Sequence, residues 1–264
     1  MLRALAAISI VFAMTLPVAA QVTPELLKDL APTGKLRAAI NYGNQVLVQK
    51  GANGEPAGVS PDLARALAKT LNVPVEFVTY TSAGKTFAGA KTNEWDVAFF
   101  ALDPVRGQEV EFTAPYVLIQ GTYLVKKDSK LQTVADVDVP GMKIGVGLGS
   151  VYDLYLTREL KHASLVRNPK GGGAGGVEPF REQSLDAAAG VREALESYAK
   201  EHADVRVMST SFQEIRQAMA TPKGRGAAGL AYLRAFVEEQ KANGFVADAL
   251  KRSGQRAPVA PPTK

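Results

Sequence analysis

Residues 75–100 read VEFVTYTSAGKTFAGAKTNEWDVAFF, and this stretch decides the fold. Val75–Val78 predicts a strand, Ala83–Lys91 predicts a helix, and the apolar run Trp95–Phe100 predicts the next strand. A strand, a helix and a strand in this order indicate a parallel sheet with right-handed crossovers.

The same alternation extends upstream. Lys35–Ile40 predicts a short buried strand. Ser60 suits a helix cap, Pro61 the first turn and Asp62 the positive helix end, and leucines at 63, 67 and 71 recur at helical spacing. The N-terminal half therefore predicts an α/β unit.

A second α/β unit follows Gly121–Val125, which is itself a strong β segment. Because this link is extended and not rich in Gly and Ser, we expect two lobes joined by strands. The further strands are predicted at Met142–Val146, Ser164–Val166, Leu185–Gly190, Val205–Met208 and Ile215–Met219. The further helices are predicted after Ser150 and at Val191–His202, Gly226–Asn243 and Phe245–Arg252.

Two segments predict no regular structure. Gly171–Gly176 lacks the Gly-Lys-Ser/Thr ending of a phosphate-binding loop, so we expect a flexible surface loop. Ala257–Lys264 carries three prolines and predicts a frayed tail.

Residues 1–20 have the layout of a cleaved signal peptide. Arg3 precedes the apolar run Ala4–Leu16, and Val18-Ala19-Ala20 supplies small residues before Gln21. The run is too short for a bilayer span of about 20 residues; the alternative is a buried N-terminal helix. We expect a soluble periplasmic protein without a lipid anchor, since no cysteine follows the cleavage site.

Composition excludes several classes of function. The chain has no cysteine, which removes disulfides, Cys-zinc sites, iron–sulfur clusters and thiol nucleophiles. With only His162 and His202, a histidine-rich metal site is not expected, and no cofactor is indicated. The net charge is +5, but the basic residues are dispersed, and with export predicted we expect no nucleic-acid partner.

Several passages together resemble the family 3 extracellular solute-binding proteins, the periplasmic receptors of amino-acid ABC importers. The resemblance covers most of the chain after residue 20, and the order and spacing of the motifs carry it. The passages are GKLR at 34–37, GEPAGVSPDL at 54–63, WDVA at 95–98, RGQEVEFTAPY at 106–116, MKIGV at 142–146 with Gly149-Ser150, and the helices within 236–254.

This resemblance implies the two-lobed type II periplasmic-binding-protein fold, with a mixed, mostly parallel sheet flanked by helices in each lobe. We expect lobe 1 at residues 21–121 and 212–264 and lobe 2 at residues 122–211. The lobes would close by a hinge on a small molecule, and a likeness to these receptors also implies an inner-membrane ABC permease as partner and a monomer.

The resemblance makes Arg106 the leading ligand-binding candidate, because an Arg at this place in the family pairs with the ligand's carboxylate. A planar guanidinium in a dry cleft suits that role; a surface arginine is the alternative. Gly149 and Ser150 stand at a strand-to-helix turn that suits an anionic group, although Ser150 is also a plain helix cap. The remaining candidates are Asn41, Tyr42, Asn44, Phe100, Ala101, Lys85 and Tyr152, with core packing or solvent exposure as their alternatives.

The chain also departs from the family pattern. The usual ligand-contact segment is replaced by Phe99–Pro104, and Gly190-Val191-Arg192 stands where many members carry an Asp for the ligand's ammonium group. We therefore expect a ligand other than a simple basic amino acid. Arg192 and Lys85 would favour an acidic amino acid or a small organic acid, and Asp103 is an alternative partner for an ammonium group.

Two other functions stay open on the sequence. The first is an enzyme on the same fold, as some dehydratases resemble these receptors; it would need a placed acid or base, and no acidic pair stands out. The second is a receptor that signals without transport. A binding protein that is not an enzyme is the leading interpretation.

Overall fold

The structure is a computed structural model that describes residues 22–263. The signal peptide predicted at residues 1–20 lies outside the described residues. Among residues 22–263, no helix has the length and apolar character needed to cross a membrane.

The strands and helices alternate as the sequence indicates. The strands are β1 (Leu36–Asn41), β2 (Gln49–Lys50), β3 (Pro56–Ala57), β4 (Val75–Tyr80), β5 (Val97–Ala101), β6 (Val110–Lys126), β7 (Lys143–Gly147), β8 (Ser164–Asn168), β9 (Ala187–Val191), β10 (Val205–Val207) and β11 (Gln213–Pro222). The helices are α1 (Pro24–Leu30), α2 (Val59–Thr70), α3 (Ala83–Lys91), α4 (Val151–Glu159), α5 (Val177–Glu182), α6 (Arg192–Glu201), α7 (Ala227–Ala242) and α8 (Phe245–Arg252).

Within the described residues, nine strands form one mixed sheet in the order β4-β1-β5-β11-β6-β9-β7-β8, with β10 also paired to β6. β1 is parallel to both β4 and β5, which confirms the parallel arrangement predicted from residues 75–100. β7 is likewise parallel to β8 and β9. The fold is the mixed α/β architecture expected from the sequence.

The long strand β6 connects two groups of strands. Its residues 110–121 pair antiparallel with β11, which continues through β5 and β1 to β4; we call these the first strand group. Its residues 121–126 pair with β9 and β10, which belong with β7 and β8 to the second strand group. The chain thus passes between the groups within an extended strand, as the β-like link predicted.

Helix α2 begins earlier than the cap signal indicates. Gly58 adopts a φ of +106° that disfavours other residues and turns the chain into the helix at Val59. Ser60 therefore lies inside the first turn, where its buried hydroxyl is 3.0 Å from the hydroxyl of Tyr116. The prediction of Ser60 as the cap was wrong, because the glycine already provides the turn.

The two segments predicted to be irregular are both packed. Val259 forms a β-bridge to Val117, and the backbone N–H of the buried Ala260 donates to the carbonyl of Tyr116 at 3.0 Å. The prediction of fraying was therefore wrong for residues 257–263. The glycine run folds against the first strand group, with the N–H of Gly173 donating to the carbonyl of Gly43 at 2.5 Å.

Candidate cleft between the strand groups

A cavity lies between the two strand groups at the ends of their strands. The first group lines it with Asn41 at the end of β1, with Asn44 just after that strand, and with Phe100 and Ala101 at the end of β5. Such crevices at the carboxyl ends of parallel strands are the usual ligand sites of open α/β sheets. The second group contributes Leu148, Ser150, Val151, Tyr152, Gly172, Gly173 and Val191.

Arg106 is the charged residue in the wall of this cavity. It lies in a short 3-10 turn after β5 and is 1% exposed. Its Nη1 donates to the carbonyl of Ala101 at 3.2 Å, and its Nη2 donates to the carbonyl of Gly149 at 3.0 Å. Its guanidinium carbon lies 5.3 Å from the ring centre of Phe100.

The charge of Arg106 is incompletely compensated. Among the described residues, no carboxylate lies within ion-pair distance of its guanidinium, and its buried Nε has no hydrogen-bond partner. Burial lowers the pKa of Arg106 to about 10, while the nearby Asp103 raises it. The side chain thus stays cationic at neutral pH in a place where an unpaired charge is costly, and an anion would relieve that cost.

Asp103 does not line the cavity, because other groups engage it. One oxygen, Oδ1, accepts the N–H of Val105 at 2.9 Å. The other, Oδ2, lies 2.9 Å from Nη1 of Arg158 on α4, without a well-aligned hydrogen bond. Asp103 therefore joins the two strand groups through an ion pair beside the cavity.

The N-terminus of α4 faces the cavity from the second strand group. Ser150 caps the helix, since its Oγ accepts the N–H of Asp153 at 3.1 Å, and it also lines the cavity. Ser150 is therefore the helix cap, as one alternative predicted, and it also lines the cavity, while its binding of an anion stays a prediction. The first-turn N–H groups of a helix have no intrahelical acceptor and carry partial positive charge, which suits an anion.

Gly149 contributes through its backbone. It has a φ of +69°, and a Cβ there would stand 2.9 Å from the Cα of Gly84. Residues of the two strand groups thus approach each other at this point as closely as glycine allows. Gly149 is not part of the cavity lining, but its carbonyl accepts from Arg106.

Tyr152 and the glycine run form one wall together. The buried Tyr152 hydroxyl donates to the carbonyl of Gly172 and lies 3.4 Å from that of Gly173. Burial raises the pKa of Tyr152, so its hydroxyl stays protonated and acts as a donor. The run predicted as a flexible surface loop instead supplies two residues to the cavity wall.

Tyr42 and Lys85 lie outside the cavity lining. Tyr42 is half-buried, and Nζ of Lys50 lies 5.8 Å from its ring centre. Lys85 is exposed, and its Nζ donates to Oγ1 of Thr81 at 3.2 Å. The sequence alternative, a solvated lysine, describes its position.

Arg192 also points away from the cavity and binds the segment that returns to β11. Its guanidinium donates to the carbonyls of Met208, Ser209 and Thr210 at 3.0 to 3.2 Å. The same guanidinium reaches the side chains of Gln120 and Ser211 at 2.8 and 2.9 Å. Arg192 therefore holds together the two chain segments that pass between the strand groups.

Several lining residues were not singled out from the sequence. Gln217 and Ile215 come from β11, which pairs with β5, and Ile119 comes from β6, which pairs with β11. Long-range strand pairing thus brings all three to the cavity. No local pattern carries that information. Gly172 and Gly173 did carry a signal, the glycine run itself, because close backbone packing requires residues without side chains.

Comparisons with known proteins place the chain in a family. The family model for bacterial extracellular solute-binding proteins, family 3, matches residues 36–255. The "ABC transporter arginine-binding protein 1" of Escherichia coli (strain K12) is 31% identical over 108 residues, 40% of this chain. That match spans 43% of the length of the curated relative.

Solved structures share the fold across most of the chain. A mutant of ArgBP from T. maritima has a TM-score of 0.72 at 18% identity, over 87% of this chain and 99% of that chain. AncCDT-1, an ancestral amino acid-binding protein described as a precursor of cyclohexadienyl dehydratase, has a TM-score of 0.69 at 26% identity, over 86% and 98%. The chain belongs to the family 3 bacterial extracellular solute-binding proteins.

Proposed function

We propose that the protein is the substrate-binding receptor of an ABC importer and captures a small carboxylate-bearing solute, an amino acid or a related organic acid. The observation that carries this proposal is the buried guanidinium of Arg106 in the cavity wall. Among the described residues it has no carboxylate partner, and its Nε has no hydrogen-bond acceptor. A guanidinium with a free N–H in a dry site favours a carboxylate, which it binds through charge-assisted hydrogen bonds.

The geometry also supports capture by closure. Lobe 1, residues 21–121 and 212–264, would supply Arg106, and lobe 2, residues 122–211, would supply Ser150 and Tyr152. A solute that touches both walls stabilises the closed arrangement by its differential affinity. The two segments that pass between the lobes, β6 near Gly121 and the residues just before β11, would flex as the hinge.

The cavity favours binding over chemical turnover. The titratable side chains in its described lining are Arg106 and Tyr152, and burial keeps the Tyr152 hydroxyl protonated. His162 and His202 lie outside the lining; the His202 ring stacks on Tyr198. A dehydratase-like enzyme, the alternative that the AncCDT-1 likeness suggests, would need a general acid or base that this wall does not supply.

The proposal also includes the location of the protein and its partner. The protein would act as a monomer in the periplasm after removal of residues 1–20 and deliver its solute to an inner-membrane permease. The family of extracellular solute-binding proteins supports this setting.

The test compares carboxylate binding in wild type and in Arg106→Met. Isothermal titration against the amino acids and small organic acids identifies the bound solute, and native mass spectrometry of the purified protein identifies any that is retained. We expect Arg106→Met to weaken the best ligand about 30-fold or more, as for loss of a charge-assisted contact of about 2 kcal/mol.

Lys85→Met is the matched control, because it removes an exposed cation that lies outside the cavity. It should leave affinity unchanged, and thermal melting should show that both variants are folded. Equal affinity of wild type and Arg106→Met for the same carboxylate would refute the proposal.

A further inference from the structure

We infer that the cleft selects small monocarboxylates that carry a keto or hydroxyl group where an amino acid carries its ammonium group. This inference rests on the proposed function and narrows its ligand class. It follows from the distribution of charge and of hydrogen-bond acceptors around Arg106.

The described cavity wall carries one positive charge and no carboxylate. Among the lining residues within 22–263, Arg106 is charged, and none is Asp or Glu. The ammonium group of an amino acid is attached beside its carboxylate, so both groups must enter the same cavity. An ammonium ion that loses its water without meeting a carboxylate pays a large desolvation cost.

Three backbone carbonyls in the wall already accept hydrogen bonds from the protein. The carbonyl of Gly173 accepts the N–H of Val191 at 3.0 Å, and that of Gly172 accepts the Tyr152 hydroxyl. The carbonyl of Ala101 accepts from Arg106. The buried Oδ1 of Asn44 has no partner among the described residues, and a neutral oxygen of this kind suits a hydroxyl better than an ammonium ion, which has three donors and a full charge.

Asp103 is engaged by Arg158 beside the cleft, and another carboxylate, that of Glu193, lies in a separate cavity. Glu193 on α6 lines a neighbouring pocket, which Asn44, Gly173 and Val191 divide from the cleft. Its Oε2 is buried and has no hydrogen-bond partner within residues 22–263, and burial raises the pKa of Glu193. A ligand ammonium group would have to reach past the dividing residues to meet this carboxylate.

A second carboxylate on the ligand is disfavoured for the complementary reason. Lys85 and Arg192 both lie outside the cleft lining, so Arg106 is the cation that faces the ligand. The remainder of the wall is largely apolar, with Phe99, Phe100, Ile119, Val151 and Ile215. These observations favour a ligand that has one carboxylate and is otherwise largely apolar.

The experiment titrates matched triplets at one pH: leucine, 2-oxo-4-methylpentanoate and 2-hydroxy-4-methylpentanoate, and alanine, pyruvate and lactate. We expect the best oxo or hydroxy acid to bind about tenfold tighter or more than its amino acid, the effect of one uncompensated polar group. Amino acids that bind equally well or better, in an Arg106-dependent manner, would overturn this inference and leave the proposed function intact. Binding of none of the six would overturn this inference, whereas the proposed function is refuted only by equal affinity of wild type and Arg106→Met for the same carboxylate.

Asn44→Asp places a carboxylate in the cavity wall without changing the size of the side chain. It should raise the affinity for the amino acid of the best triplet about tenfold and lower that for its oxo acid. Val191→Asp, at the end of β9, is the second variant if the first does not fold. An unchanged preference in a folded variant would contradict the inference, as would a tenfold loss of leucine binding in Glu193→Gln.

Discussion

We expect the ion pair between Asp103 and Arg158 to stabilise the closed arrangement of the two strand groups. Asp103 follows β5 in the first strand group, and Arg158 lies on α4 beside the second. Their charged atoms are 2.9 Å apart, and the Asp103 side chain is 1% exposed while that of Arg158 is 36% exposed. If the strand groups separate by a hinge, this contact exists in the closed arrangement alone, so Arg158→Ala should favour opening.

The exposure of the two side chains determines how much free energy the ion pair contributes to closure. An exposed ion pair contributes about 0.2–1 kcal/mol, whereas removing one partner of a buried pair costs about 3–5 kcal/mol. With one buried partner and one partly exposed partner, we expect about 1–2 kcal/mol. That loss lowers the ratio of closed to open molecules by roughly 5- to 30-fold.

The cysteine-free sequence makes the assay direct. Lys69→Cys on α2 and Lys200→Cys on α6 place dyes on exposed positions beside different strand groups. Single-molecule energy transfer then reports the populations of open and closed molecules, with and without Arg158→Ala.

Arg167→Ala is the matched control. Arg167 also binds a nearly buried carboxylate at 2.9 Å, that of Asp153, but both residues belong to the second strand group. Its loss should lower stability without changing the closed population. An equal shift in both variants, or no shift in Arg158→Ala, would refute the role of the ion pair in closure.

Three further outcomes follow from the structure. Asp96 is fully buried between Arg37 and Arg225, at 2.7 and 2.9 Å, so Asp96→Asn should lower the free energy of unfolding in urea by about 3–5 kcal/mol; a loss below 1 kcal/mol would contradict the argument. A lysine at position 192 cannot form the hydrogen bonds that Arg192 donates to three carbonyls, so Arg192→Lys should lower the free energy of unfolding by about 1–3 kcal/mol in the same assay. An unchanged urea midpoint would show that those bonds are dispensable. The N–H groups of Ala163 and Lys161 lower the pKa of Asp138, so its contribution to stability is present at neutral pH and is lost as pH falls through the carboxyl range. Melting temperatures measured between about pH 5 and pH 3 should therefore fall less steeply in Asp138→Asn than in wild type, and parallel slopes would contradict this assignment.

The fold was largely predictable because its signals are local. The strand–helix–strand pattern of residues 75–100 required parallel pairing, and β1, β4 and β5 pair in that way. The errors concern segments whose order comes from distant partners. The tail at residues 257–263 is held by Tyr116 and Val117, and the glycine run is held by Gly43; neither partner is visible in the local sequence.

The candidate site shows the same contrast between what local sequence determines and what tertiary contacts determine. Asn41, Asn44, Phe100 and Ala101 stand at strand ends, where topology alone directs them to the cleft, and the structure places them in its lining. The position of Lys85 depended on side-chain direction, which the sequence did not determine. Its helix was predicted correctly, but its ammonium group is exposed and bonds to Thr81.

Arg106 and Arg192 show why cation identity alone is a weak guide to a ligand site. Arg192 donates to carbonyl oxygens of the returning segment, so its donors are used by the protein itself. Arg106 is more deeply buried and still retains an unpartnered Nε. A buried cation that keeps an unused donor is stabilised by an anion, whereas one whose donors are engaged stabilises the chain around it. The distinction between a binding residue and a hinge residue therefore lies in the balance of donors and acceptors around each guanidinium, and that balance is fixed by tertiary contacts.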